Sequence, residues 1–179
     1  MNKPIRIRWP EDSPSIAQLH ALRAGDFVLF SGVVYAARDE AHKRIVELLR
    51  KRRKPPIQLR GKIFYYTGPT PAPRGKIIGS CGPTTSSRMD AFTPLLLQHG
   101  LIGMIGKGAR SRDVRRAIKK YHAVYFITIG GAGAYLSTKI ISAKPVAFRD
   151  LGPEAMLEME LRDFPLFVAI DAKGSELTS

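Results

Sequence analysis

The feature of this sequence that most restricts its fold is a repeated succession. An apolar run rich in β-branched and aromatic residues gives way to a turn of glycines or hydroxyls, and then to a segment with helical spacing. Phe27–Tyr35 has the composition of a buried strand, interrupted by Gly32. Arg38–Leu49 follows with Ala41, Ile45 and Leu48-Leu49 on one face, and Pro55-Pro56 stops it. Gly61–Gly68 reads as a second strand, closed by the turn Pro69–Pro73, and Gly75–Cys81 as a short one. A helix from about Met89 to Gln98 ends at Gly100, and Leu101–Gly106 is again a strand. A basic helix over residues 111–121 leads to strand Ala123–Ile129, and Gly130–Ala134 opens a helix to about Ala143. Val146–Phe148 and Phe167–Asp171 are further strands, separated by a short acidic helix near Pro153–Leu161; residues 14–25 form a lead-in. Such alternation predicts an α/β fold. The N-terminal strands look hairpin-like, which predicts a mixed sheet. No repeat or long linker divides residues 1–179, so one domain is expected.

Composition narrows the class of protein. Hydrophobic residues make up 44% and charged residues 25%, a globular balance. No apolar run approaches the ~20 residues that span a bilayer, and Met1–Pro10 lacks the apolar stretch of a secretory signal. The single cysteine, Cys81, excludes an internal disulfide and fits a reducing cytosol, so a cytoplasmic location is expected. The net charge of +14 gathers in Lys43–Lys54 and Lys107–Lys120. Neither stretch interleaves exposed aromatics or carries a nucleic-acid motif. Solvated basic faces, anionic substrates or an acidic partner account for the excess better than nucleic acid does.

The turns carry the chemistry. Gly82-Pro83-Thr84-Thr85-Ser86-Ser87-Arg88-Met89-Asp90 places four hydroxyl residues and an arginine where a helix begins. Helix N-termini expose unpaired N–H groups, and an arginine adds bidentate capacity, so the turn suits a carboxylate or phosphate. One hydroxyl would be enough for a cap. In open α/β sheets ligands gather beyond the carboxyl ends of strands. That rule would bring Arg38, His42, Thr84, Thr85, Arg88 and Lys107 to one crevice. Arg38 and His42, four apart, share a helix face: Arg38 suits a carboxylate, and His42 suits acid–base work or the orienting of Arg38. Glycines flank Lys107, a point charge suited to an anion. Gly130–Ala134 lacks the G-x-G-x-x-G spacing of a dinucleotide turn, and close packing is its expected role. His20, His99, His122 and Cys81 show no ligand spacing, so no metal site is expected from this chain alone. Neither a nucleophile elbow nor a P-loop is present.

Six blocks then occur together: Ala37–Arg44, Tyr66–Pro71, Gly82–Asp90, Ile105–Gly108, Gly130–Ala132 and Asp150–Ala155. In this the chain resembles the β subunit, or C-terminal domain, of the class I iron–sulfur fumarate hydratase and L-tartrate dehydratase family, over about residues 15–177. The resemblance implies a swivelling β/β/α domain and a hydro-lyase that adds water to a dicarboxylate double bond. It implies a four-iron, four-sulfur cluster with one iron open as a Lewis acid. Such a cluster takes about three thiolates, and one cysteine cannot supply them. An α subunit would therefore carry it, in a hetero-oligomer such as α2β2. The resemblance further implies that Arg38, Arg88 and Lys107 neutralise substrate carboxylates and that Thr84 hydrogen-bonds one of them. Thr85 matches the residue proposed as base for the carbon-bound proton, with His42 the alternative and Lys107 assisting. Met89-Asp90 and Gly130-Gly131-Ala132 look more like the fumarate branch than the tartrate branch. L-tartrate dehydration, a non-catalytic anion- or nucleic-acid-binding module and a regulatory subunit remain alternatives.

Overall fold

The computed structural model describes residues 3–9 and 15–177; the ends of the expected 1–179 domain, Pro10 and the first residue of the lead-in lie outside it. Two long strands organise the sheet. β2 (Phe27–Ala36) and β7 (Met156–Ile170) pair antiparallel from Phe27 opposite Phe167 to Ala36 opposite Leu157. The free edge of β2 takes β1 (Ile5–Trp9) and then β3 (Ile63–Tyr65), both parallel. The free edge of β7 takes β6 (Ile140–Ala147) and then β5 (Val124–Ile127), both antiparallel. β4 (Gly103–Gly106) lies between β3 and β5, parallel to each, and closes the circuit.

Alternation of side chains along these strands separates two cores. Val28, Phe30, Val34, Ile63, Tyr65, Ile105, Val124, Phe126, Phe164, Leu166 and Val168 point inward and pack together. Phe64, Met104 and Tyr125 point the other way. They meet Ile45 and Val46 of α2 (Asp39–Arg50), Leu96 and Leu97 of α3 (Thr93–Gln98), and Val114 and Ile118 of α4 (Arg112–Tyr121). The result is a mixed α/β architecture layered β/β/α, as the alternation and the resemblance led one to expect. Burial of each such side chain contributes about 1.5–3 kcal/mol before entropy is subtracted, so the two cores fix the strand ends firmly. Two short helices, α1 (Ile16–Ala21) and α5 (Gly133–Ser137), complete the set.

Several local expectations are corrected. The N-terminal strands form no hairpin: β1, β2 and β3 run parallel, and the antiparallel partner of β2 comes from the far end of the chain. Gly75–Cys81 is not a strand but a loop held by Thr70, whose N–H donates to Ser80 O at 3.0 Å. α5 stops at Ser137, and residues 140–147 are the edge strand β6, where Pro145 costs the ladder little. The acidic segment 153–161 is mostly β7. Leu157, Met159 and Leu161 point into the inner core with Glu158 and Glu160 between them, a period of two that the acidic composition hid. The helix placed at 89–98 starts instead as a 3-10 turn, Ser86–Met89, before α3.

Candidate functional site

The hydroxyl-rich loop is wedged between two parallel strand ends. Beyond their last paired residues β3 and β4 splay apart, and residues 84–86 fill the gap. Thr84 N–H donates to Tyr66 O at 2.6 Å, and Ser86 N–H donates to Lys107 O at 2.9 Å. Thr85 forms a parallel bridge with Lys107. Gly106 makes the wedge possible, since a Cβ there would run into Ser86 Oγ. Ser86 is buried, and its hydroxyl is hydrogen bonded to that of Tyr125 at 2.9 Å, while Tyr125 also donates to Gly108 O at 2.7 Å. Burial pushes the Tyr125 hydroxyl up to about 12, so it stays a neutral donor. Anchored in this way, Thr85 is exposed and Thr84 half-buried, beside a half-buried Lys107. Lys107 has no carboxylate partner among the described residues and lies 3.6 Å from a Cβ built on Gly130.

Arg38 reaches the same edge from the next strand end, and Arg88 from the 3-10 turn Ser86–Met89 that continues the loop. β2 leads through Ala37 to Arg38 at the start of α2. A Cβ on Gly68 would collide with the Arg38 guanidinium, so the glycine that follows β3 is what lets Arg38 lie there. Arg38 Nη2 is 3.2 Å from Glu154 Oε1. Arg88 Nε donates to Asp39 Oδ1 at 2.9 Å, and its Nη2 lies 2.8 Å from Oδ2. Asp150 holds Arg44 through 2.9 and 2.6 Å bonds and ties the 3-10 turn Arg149–Glu154 to α2. The block Asp150–Ala155, given no role from the sequence, thus positions Glu154. Arg38, Thr84, Thr85, Arg88 and Lys107 therefore share the carboxyl edge of β2, β3 and β4. A pocket of about 670 Å³ lies elsewhere, around Trp9, Gly32 and Asp163. The strand-end site is an open rim rather than a closed cavity.

His42 does not join that rim. It is 0% exposed, ringed by Phe64, Tyr66 and Phe92, and its Nδ1–H donates to Arg38 O at 2.7 Å. Burial lowers its pKa to about 4, which leaves it neutral, with Nε2 unpartnered. Of the roles its spacing suggested, the orienting of Arg38 is the one its surroundings favour.

Sequence reasoning passed over Arg110. Its side chain is fully buried, with Nε donating to Asp90 Oδ1 at 2.7 Å, Nη2 to Thr93 Oγ1 at 2.8 Å, and its plane beside the rings of Tyr66 and Tyr125. Asp90 also accepts from Ser111 N–H at 2.6 Å. The motif's last residue is therefore structural; a lone arginine after Gly108 gave no signal of it.

A cluster ligand set does not fit this chain. Cys81 is buried with its backbone against Gly133, and Thr67 Oγ1 sits 3.4 Å from its sulfur. Burial pushes the thiol up to about 11, away from the thiolate that iron needs. Among the described residues no three His, Cys, Asp or Glu side chains group as a metal site, and no helix is long and apolar enough to cross a membrane.

A β/β/α domain whose parallel strand ends gather two arginines, a lysine and two threonines on one rim is the class that fold and site define. The chain belongs to the fumarase C-terminus family, whose model matches residues 4–179. It is 37% identical to fumarate hydratase 2 of Leishmania major over 90% of its own length and 29% of the relative's. Against the anaerobic class I fumarate hydratase of Escherichia coli the identity is 36%, over 90% of this chain and 30% of the relative. A Methanocaldococcus jannaschii protein, provisionally described as L(+)-tartrate dehydratase subunit beta, is 36% identical over 87% of this chain and 83% of its own length. The chain thus spans about a third of the fumarate hydratases it matches but most of the β subunit.

Proposed function

We propose that this chain is the β subunit of an iron–sulfur hydro-lyase that interconverts fumarate and L-malate in the cytoplasm. A separate α subunit carries the cluster, which this chain's residues do not fit. The observation that carries the reading is the wedge: Thr84 and Thr85 held by backbone bonds between Tyr66 and Lys107, with Arg38 and Arg88 on the same rim. Arg38, Arg88 and Lys107 take the substrate carboxylates, and Thr84 donates to one of them. Thr85 Oγ moves the proton on the carbon next to the one that gains or loses hydroxyl. A threonine oxygen is a weak base, so this role needs Lys107 and Arg88 nearby to favour its charged form. The open rim supports a partner surface that closes over the substrate, and likeness to a protein described as a dehydratase subunit beta supports that partner as a second chain.

Charge counting agrees. Asp39 and Glu154 offset Arg38 and Arg88, so Lys107 is the one uncompensated cation of this set. A dicarboxylate needs more positive charge, which the partner would supply. L-tartrate is the second reading, favoured by likeness to the archaeal β subunit.

The test is anaerobic co-expression with a candidate α subunit, following the ultraviolet absorbance of the fumarate double bond. Turnover that requires both chains supports the proposal, and turnover of tartrate alone changes the substrate. An assembled, cluster-loaded complex inactive on both would overturn it.

A further inference from the structure

The two rim arginines meet over one carboxylate. Asp39 Oδ1 accepts from Arg88 Nε at 2.9 Å, while Oδ2 lies 2.8 Å from Arg88 Nη2 and 3.9 Å from Arg38 Nε. A guanidinium offers a carboxylate two edges, Nε with Nη2 and Nη1 with Nη2. Asp39 occupies the first edge of Arg88, and no described residue bonds Nη1, on a side chain 49% exposed. Asp39 itself sits in the first turn of α2, where the helix dipole favours a carboxylate, and its Oδ2, closed off from solvent, accepts no hydrogen bond and is held by the charge of the two arginines.

We infer that Asp39 is the positioning and specificity residue of the anion site. By gripping Arg88 on the Nε edge it presents the Nη1 edge to one carboxylate of the substrate. By offsetting arginine charge it makes the site depend on directed bonds rather than on net charge. This rests on the reading of Arg88 as a substrate ligand given above. The consequence is selectivity: a planar dicarboxylate matches the presented edge, whereas a small inorganic anion responds mainly to charge. Losing the Asp39 charge should weaken the first and strengthen the second.

The experiment compares Asp39→Asn, Asp39→Glu, Arg88→Ala and Asp39→Asn/Arg88→Ala in the cluster-loaded complex, with sulfate as the competing anion. Asp39→Asn should raise the dicarboxylate KM by about tenfold or more with kcat nearly kept, and should bind sulfate more tightly. Asp39→Glu keeps the charge at the helix start but moves the carboxylate by one methylene. It should raise KM without tightening sulfate, and it serves where Asp39→Asn does not fold. In the double variant kcat/KM should fall no further than in Arg88→Ala alone, because Asp39 acts through Arg88. Unchanged KM in both Asp39 variants, or losses that add in the double variant, would overturn the inference while leaving Arg88 as a ligand. An Arg88→Ala enzyme with unaltered kinetics would instead overturn the substrate-site reading and this inference with it.

Discussion

The carbonyl oxygen of Arg38 accepts two hydrogen bonds from His42, one from its backbone N–H at 2.9 Å and one from Nδ1–H at 2.7 Å. A buried neutral histidine thereby fixes the first turn of the helix that begins with the rim arginine. The arrangement makes stability depend on pH. The folded protein holds the pKa of His42 at about 4 against 6.5 for the ordinary side chain. Between these values the unfolded chain binds a proton that the folded one refuses. Stability is therefore full above pH 6.5 and falls as pH drops toward 4, by about 3 kcal/mol in all. His42→Asn keeps a donor near the Arg38 carbonyl and removes the titration. Urea unfolding at pH 7 and 4.5 should show the loss in the parent and much less of it in the variant.

Thr85 is exposed, and its backbone holds the bridge to Lys107 whatever its side chain. Thr85→Ala should leave the melting temperature nearly unchanged and lower kcat by about 10²–10⁴-fold, the range for a lost proton-transfer group. Thr85→Ser should retain part of the activity. A Thr85→Ala complex that turns over normally would remove the residue from the mechanism.

Gly68 leaves the space in which Arg38 lies. In Gly68→Ala the methyl group displaces a flexible side chain rather than backbone, so the fold should survive. Arg38 should lose its position, and KM should rise about tenfold, equivalent to about 1.4 kcal/mol. Steady-state kinetics alongside a thermal melt separates this outcome from general destabilisation.

Arg110 and Asp90 form an ion pair with the arginine side chain entirely out of solvent. Removing one partner of such a pair leaves the other charge buried, at a cost of about 3–5 kcal/mol. Arg110→Ala should therefore unfold at markedly lower denaturant. Arg110→Lys should recover little of this, since a single ammonium cannot serve Asp90, Thr93 and two aromatic faces at once.

Cys81 should react with a thiol reagent only on unfolding, because its thiol is buried and held protonated. Cys81→Ala should leave the iron content and visible spectrum of the assembled complex unaltered. Loss of iron in that variant would give this chain a ligand role that its geometry argues against.

The residues that the structure gathers on the rim stood out in the sequence because they fall in short, distinctive blocks. Four hydroxyls and an arginine follow Gly82-Pro83, and a lysine lies between glycines. Asp39 and Glu154 were harder to read: an acid at a helix start is ordinary by itself, and it matters here only because an arginine from 49 residues away reaches it. Arg110 was invisible for the same reason. The loop at 75–81 and the strands at 140–147 and 156–161 were misread because their composition speaks for one structure while their partners impose another.

The sequence by itself determined the α/β class, the run of β2, α2, β4, α4 and β5, and the residue types of the rim, since side-chain periodicity and turn chemistry act over a few neighbours. Tertiary structure alone decided that β7 would close the sheet on β2, that His42 would sit in the core rather than on the rim, and that Asp39 would bind Arg88. Those outcomes depend on pairing and burial between segments far apart in the chain, and no local pattern encodes which distant group will remove a side chain from water.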